Sequence, residues 1–107
     1  MTIIDENNKL KKEKNAVILA HYYVRPEVQE AADYIGDSFY LSKLAQKLDA
    51  KTIVFCGVSF MGESAKILSP DKTVLMPDLT ADCAMAHMAD VKTIDEMRAK
   101  YDDLAVV

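Results

Sequence analysis

The sequence predicts an α/β fold in which a small parallel sheet of three to four strands lies between two layers of helices, in a three-layer αβα arrangement. Continuous apolar runs of strand length occur at residues 16–20 and Thr52–Cys56, and runs that are apolar on both faces are typical of parallel strands covered on each side. Segments with helical spacing separate them, and strands that alternate with helices favour a parallel sheet. We expect residues 1–107 to form a single α/β domain.

The first half of the chain supplies one strand and three helices. Residues 2–13 carry a thin apolar stripe and predict a surface helix, with a solvated lead-in as the alternative. Pro26 suits the first position of a helix that continues to about Asp33, and Gly36 ends that segment. Residues 38–48 have the clearest helical pattern, since their apolar side chains follow the i, i+3, i+4, i+7 spacing.

The second half predicts two more helices and three strands, of which Thr52–Cys56 is the first. Residues 61–68 predict a short helix, which the following proline ends. Residues 73–76 predict the next strand. Thr93 and Glu96 have the spacing of a capping box that opens a helix reaching about Tyr101. The apolar run at 104–107 predicts the start of a last strand, and because the chain stops inside it we expect the chain to be a fragment.

Composition excludes several classes of protein. Half of the residues are hydrophobic and 28% are charged, as in soluble globular proteins. The net charge of -4 argues against non-specific binding to nucleic acid. No apolar run approaches the ~18 residues of a membrane span, and residues 1–14 are too polar for a secretory signal. We therefore expect a cytoplasmic protein that binds neither nucleic acid nor membrane, with Cys56 and Cys83 reduced.

Polar and reactive side chains follow three of the predicted strands, at the edge where ligands collect in parallel α/β sheets. The first strand leads to His21, Tyr22 and Tyr23, the second to residues 57–60, and the next to residues 78–83. His21 could act as acid, base or hydrogen-bond donor, or could simply be satisfied at a strand end. One of the two tyrosines should pack while the other reaches the edge, because successive side chains alternate across a strand.

Asp37 and Ser38 lie at the start of the helix at 38–48, where either side chain could serve only as its N-cap. A helix N-terminus with free amides and a hydroxyl is also suited to a carboxylate or phosphate. Both roles can coexist at this position.

Cys83 lies in a loop after the strand at 73–76, with no second cysteine nearby. A metal or cluster ligand is one interpretation, and a buried, inert thiol is the other. Cys56 ends an apolar strand and is expected to face the core. Cys83 and His87 are four residues apart, so a zinc site completed by His21 is a further alternative.

Four ordered blocks within residues 16–107 resemble quinolinate synthase and cover the first of the three similar α/β domains of that family. The resemblance implies an active site where the three domains meet around a pseudo-threefold axis. The blocks are Ala20-His21-Tyr22-Tyr23 with Pro26-Glu27-Val28-Gln29, Ala32-Asp33 with Gly36-Asp37-Ser38, Phe60-Met61-Gly62-Glu63-Ser64-Ala65-Lys66-Ile67-Leu68, and Met76-Pro77-Asp78-Leu79 with Cys83-Ala84-Met85-Ala86.

The resemblance implies that the whole enzyme condenses iminoaspartate with dihydroxyacetone phosphate to form quinolinate, in de novo NAD biosynthesis. It implies a [4Fe-4S] cluster held by one cysteine from each domain, with Cys83 as the ligand from this one and an open iron acting as a Lewis acid. His21 and Tyr23 resemble the catalytic, substrate-contacting pair, and Ser38 with Asp37 matches the position that binds a substrate carboxylate. A functional link to L-aspartate oxidase is expected.

Three departures from the family pattern bear on this resemblance. Asp82 stands where many members have a small or uncharged residue, and a carboxylate beside an anionic cluster would lower the reduction potential of the cluster or raise its own pKa. His87 replaces a residue that is often acidic or amidic. Only Cys83 matches a ligand cysteine, so the chain alone is expected neither to hold a stable cluster nor to turn over substrate.

Two alternatives remain open. One is a non-catalytic α/β domain that binds a small anion at the Ser38 helix start, and the other is the zinc domain built on Cys83, His87 and His21.

Overall fold

A four-stranded parallel sheet forms the centre of the computed structural model, which describes residues 2–107. The strands follow the spatial order β2-β1-β3-β4, so the predicted α/β class and parallel sheet are confirmed. The strands are β1 (Ala16–His21), β2 (Tyr34–Gly36), β3 (Thr52–Cys56) and β4 (Thr73–Leu75); the helices are α1 (Ile3–Lys14), α2 (Pro26–Ala31), α3 (Ser38–Lys47), α4 (Ser59–Leu68) and α5 (Val91–Lys100), and a 3-10 turn covers Ala84–His87.

The core lies between the β1–β3 pair and helices α3 and α4. The odd-numbered residues of both strands point to this face, where they meet the small and branched side chains of the two helices. Right-handed crossovers place α2 on the opposite face, because the chain moves from β1 to β2 in one direction and from β2 to β3 in the other. The core residues are Val17, Leu19, Leu41, Ala45, Ile53, Phe55 and Ala65.

Helix α1 is joined to the sheet through Asp33. The Thr2 and Asp5 side chains form a reciprocal capping box at its start, and Asn15 ends it with a left-handed backbone (φ 50°) that asparagine tolerates. Asp33 accepts hydrogen bonds from the Ile18 amide and from Lys11 Nζ, each at 2.8 Å. The helix predicted at residues 2–13 is therefore confirmed, and the solvated lead-in is not.

Four expectations about the elements need correction. Strand β2 was not predicted, because a three-residue edge strand is too short for a periodic signal. Residues 104–107 form no strand. Asp90, and not Thr93, caps α5, since its carboxylate accepts from the Thr93 amide. Helix α4 begins at Ser59 rather than at residue 61.

Helix α5 projects from the packed body. It buries none of its residues, and the radius of gyration of 17.0 Å exceeds the roughly 13 Å of a compact chain of this length. No helix among residues 2–107 is long and apolar enough to cross a membrane.

Lys72 satisfies the carboxyl end of α3. Its ammonium donates to the carbonyl oxygens of Ala45, at 2.8 Å, and of Leu48, and both contacts are partly buried. Carbonyls in the last turn of a helix have no partner within the helix, and a cation at this end also interacts favourably with the helix dipole.

We expect Lys72→Met to lower the free energy of unfolding by about 1.5 kcal/mol, because hydrogen bonds from a charged donor are lost while the carbonyls stay partly buried. Urea unfolding followed by circular dichroism measures the change. Lys51→Met removes the same charge from an exposed position and is the matched control. Equal losses in the two variants would contradict this account of Lys72.

Candidate functional site

One cavity of about 750 Å³ opens at the carboxyl edge of the sheet. Loops that follow all four strands contribute to it, which is the arrangement expected of parallel α/β sheets. Most of its lining is apolar, and the residues with functional side chains are His21, Tyr23, Ser38, Cys56, Asp78, Asp82 and Cys83. The structure therefore brings together four of the five residues selected from the sequence, which are His21, Tyr23, Ser38 and Cys83.

His21 is buried at the end of β1, with 6% of its surface exposed. Its Nδ1 accepts a hydrogen bond from the Tyr23 amide at 3.1 Å. An Nδ1 that accepts cannot carry a proton, so the neutral ring has its proton on Nε2. The imidazole is fixed in one orientation and presents Nε2–H as a donor.

The loop after β1 is held by Gln29. Its side-chain amide donates to the carbonyl oxygens of Tyr22, at 3.0 Å, and of Val24, at 2.9 Å. Since Gln29 lies on α2, the helix and the loop are fixed to one another. This contact maintains the backbone turn that lets the Tyr23 amide reach His21.

Tyr22 and Tyr23 flank the imidazole. Tyr22 stacks on the His21 ring, with ring centroids 4.7 Å apart and an interplanar angle of 28°, while Tyr23 is 83% exposed and lines the cavity. Tyr22 is the less exposed of the two, but at 48% it is not packed in the core, so the expectation that one tyrosine packs and the other reaches the edge holds only in part. The negative charge of an ionised Tyr23 raises the pKa of Tyr22, with a smaller contribution from the Asp37 carboxylate.

Asp37 and Ser38 differ in position: Asp37 caps helix α3, and Ser38 lies at the cavity. The Asp37 carboxylate accepts from the Tyr40 amide at 2.7 Å and is the N-cap of α3. Asp37 does not line the cavity, whereas Ser38 does. The residue that faces the cavity is therefore the first residue of the helix and not its cap.

The loop that carries Cys83 is fixed by its own aspartates. Asp78 accepts from the Thr80 amide at 2.9 Å and from the Thr80 hydroxyl at 2.6 Å, and these two bonds lower its pKa. The Ala81 carbonyl accepts from the Ser59 amide at 2.9 Å, which joins the loop to the start of α4. Cys83 is a free, half-buried thiol in this loop.

His87 pairs with Asp82 and not with Cys83. Its Nε2 lies 2.8 Å from an Asp82 carboxylate oxygen at the surface, and the Cys83 amide together with His87 lowers the pKa of Asp82. Residues 2–107 contain no group of three or more potential metal ligands. The zinc site on Cys83, His87 and His21 is therefore wrong, because His87 pairs with Asp82 and does not line the cavity with Cys83 and His21.

Cys56 was expected to face the core, but it lines the cavity. It belongs to the even-numbered face of β3, away from the buried Ile53 and Phe55. Burial raises the pKa of its thiol. Less of Cys56 is therefore present as thiolate at neutral pH than for an exposed cysteine. Gly57 and Val58 beside it also line the cavity. The sequence indicates their place at this edge only through their position directly after a strand.

Comparisons with known proteins identify relatives over nearly the whole chain. The family model described as quinolinate synthetase A protein matches residues 5–107. The chain is 66% identical over 103 residues to the quinolinate synthase of Fusobacterium nucleatum. It is 56% identical over 107 residues to that of Clostridium perfringens strain 13 and 58% identical over 107 residues to that of Pyrococcus abyssi.

The chain spans only part of these relatives. The alignments cover 96% of the chain and 35% of the Fusobacterium protein, and 100% of the chain and 36% of each of the other two. The chain thus corresponds to about a third of the length of the relatives it matches.

We expect Tyr23→Phe to lower the pKa of Tyr22 toward its ordinary value, because no neighbouring phenolate then opposes its ionisation. At a given alkaline pH, more Tyr22 is ionised in the variant. A pH titration of the tyrosine ring carbons by NMR measures the change, and Tyr101→Phe on the projecting α5 is the control. An unchanged midpoint for Tyr22 in Tyr23→Phe would disprove the coupling.

We expect Cys83 to be alkylated faster than Cys56 in the folded chain, because burial raises the pKa of Cys56 and only the thiolate reacts. Iodoacetamide labelling of Cys56→Ser and Cys83→Ser, followed by mass spectrometry, gives the two rates separately. In urea the rates should converge. Faster labelling of Cys56 in the native chain would show that its thiol is not shielded as described.

Proposed function

Because this chain belongs to the quinolinate synthetase A family, we propose that the whole enzyme condenses iminoaspartate with dihydroxyacetone phosphate to form quinolinate for NAD biosynthesis. The observation that carries the proposal is the convergence of His21, Tyr23, Ser38 and Cys83 on one cavity. The chain covers about 35% of its relatives, so we propose that it folds as a single α/β domain and forms one wall of the active site.

Ser38 is proposed to bind a carboxylate of the substrate. It is the first residue of α3, where amides without intrahelical partners and the helix dipole favour an anion. Asp37 supports this role because its carboxylate accepts from the Tyr40 amide and so fixes the start of the helix. A contact between Asp37 and the substrate requires a substrate that reaches past Ser38.

His21 and Tyr23 are proposed to be the catalytic pair, which donates hydrogen bonds to the substrate and orients it. The fixed Nε2–H of His21 donates a hydrogen bond to a substrate oxygen and stabilises negative charge that develops on it. The exposed Tyr23 hydroxyl can donate to a second substrate oxygen. The backbone bond from Tyr23 to His21 Nδ1 couples the positions of the two side chains.

Cys83 is proposed as one thiolate ligand of a [4Fe-4S] cluster. Its free thiol at the cavity fits this role. Residues 2–107 contain no group of three potential ligands, so the further ligands are proposed to come from other parts of the enzyme. When bound, such a cluster supplies a Lewis-acidic iron that polarises a substrate hydroxyl or carbonyl.

The substrates suggest a supplier and a compartment. Iminoaspartate hydrolyses readily, so an enzyme that oxidises L-aspartate, namely L-aspartate oxidase, is proposed to supply it directly. Two free cysteines suit the reducing cytoplasm.

We expect Cys83→Ser to abolish both cluster content and quinolinate formation in a chimera. The chimera joins this chain to the remaining length of the Fusobacterium nucleatum quinolinate synthase, with which it is 66% identical. Anaerobic purification, iron and sulfide analysis and visible absorption report the cluster, and chromatography reports quinolinate.

The matched control is Cys56→Ser, which removes the other thiol of the cavity and should keep the cluster. A Cys83→Ser chimera that retains its full iron and sulfide content would refute the ligand assignment.

A further inference from the structure

We propose that Gln29 is a positioning residue for His21, which it holds in the Nε2–H tautomer through the turn that follows β1. Gln29 lies on α2 and is not among the residues that line the cavity, so it acts on the imidazole through the backbone and not through the substrate. The importance of this tautomer for the reaction rests on the proposed function, in which Nε2–H donates to a substrate oxygen.

One peptide group carries both contacts. The carbonyl of Tyr22 and the amide of Tyr23 belong to the same peptide. Its oxygen accepts from Gln29 Nε2 at 3.0 Å, and its N–H donates to His21 Nδ1 at 3.1 Å. The C=O and N–H bonds of a trans peptide lie in one plane and point in opposite directions. A donor that holds the oxygen therefore directs the N–H at the imidazole, and it also makes that N–H a stronger donor.

The backbone of the turn does not by itself decide which end of this peptide faces His21. The Val24 amide donates to the His21 carbonyl at 3.0 Å, which closes a four-residue turn. Turns of type I and type II both contain such a bond and differ mainly in the orientation of the central peptide. The reversed orientation requires a positive φ at Tyr23, and among residues 2–107 only Asn15 has a positive φ. The backbone preference of Tyr23 and the donors of Gln29 therefore act in the same direction.

Gln29 holds the turn at two points. Its Nε2 also donates to the Val24 carbonyl at 2.9 Å, so the carbonyl groups on both sides of Tyr23 face one side chain. A primary amide has two N–H groups, one for each of these carbonyls. Gln29 is half-buried, which reduces competition from water. Its polarity is thus matched to the observed orientation of the turn.

A reversed peptide would change what His21 offers to the cavity. The Tyr22 carbonyl would then face Nδ1, which would have to carry a proton in order to pair with it. A neutral imidazole has one N–H and one unprotonated nitrogen, so Nε2 would release its proton to solvent and become an acceptor. The orientation of one peptide therefore decides whether the end of β1 presents a hydrogen-bond donor or an acceptor.

Gln29→Glu tests the proposal with a side chain of the same shape and the opposite polarity. Its carboxylate repels the two carbonyls and attracts the N–H of the reversed peptide. We expect the ratio of Nδ1–H to Nε2–H tautomers of His21 to rise about tenfold or more, the usual effect of a charged hydrogen bond. Long-range proton–nitrogen NMR spectra of the 107-residue chain, recorded at about pH 8.5, where imidazoles are neutral, measure the ratio.

Two further variants complete the series. Gln29→Lys keeps a donor and should keep the Nε2–H tautomer, whereas Gln29→Met has no donor and should give an intermediate ratio. Gln29→Met also keeps the test decisive if Gln29→Glu does not fold.

The matched control is Gln46→Glu, because the Gln46 amide likewise donates to a backbone carbonyl, that of Leu68, at 3.2 Å, on another helix. His87 is the reference signal in the same spectra. An unchanged His21 tautomer in Gln29→Glu and Gln29→Met, or an equal change in Gln46→Glu, would overturn the proposal.

The reaction itself is tested in the chimera described above. We expect Gln29→Glu to lower kcat about tenfold, in line with the change in tautomer ratio. KM should change less, because Ser38 is untouched, and iron and sulfide content should stay the same. A shifted tautomer with an unchanged kcat would overturn the positioning role. If the unmodified chimera forms no quinolinate, the proposed function is refuted, and the tautomer series still decides whether Gln29 controls His21.

Discussion

The parallel pairing of β1 with β3 is the constraint on which the site depends. The pairing register sets Leu19 against Phe55, both fully buried, and a shift by one residue would turn these side chains out of the core. The same register sets the ends of the two strands level, with His21 beside Gly57. Core packing therefore determines the geometry of the cavity, because the strand ends cannot move while the buried side chains stay in place.

Much of the fold could be predicted from the sequence, because its main signals are long. Strand β3 was predicted with the bounds it has, and β1 and α3 to within one residue. Strand β2 could not be predicted, since it is defined by the tertiary contact of Asp33 with the Ile18 amide and by pairing with β1. Residues 104–107 show the opposite error: an apolar run is compatible with a strand but needs a neighbouring strand to pair with.

The edge that carries the site was predictable, but the roles of individual side chains were less so. The rule for parallel sheets identified the loops after the strands, and Ser38 and Cys83 lie there. Asp37 was grouped with Ser38 because both lie at the start of α3; only the structure separates the cap from the residue at the cavity. Cys56 was assigned to the core because an apolar run does not reveal which face the helices cover more completely.

The distribution of hydrogen-bond partners explains why some polar groups of the cavity are structural and others are free to bind. Asp78, Asp82 and Asp37 each accept from an amide in their own loop or helix, and their charges stabilise the backbone that surrounds the cavity. His21 uses one nitrogen in the same way, and the other nitrogen has no partner among residues 2–107. The loops are thus held by hydrogen bonds that their aspartates accept, while the second nitrogen of His21 stays free to contact a ligand. Because Asp78 and Asp82 also line the cavity, the aspartates that fix the loops also contribute negative charge to this wall.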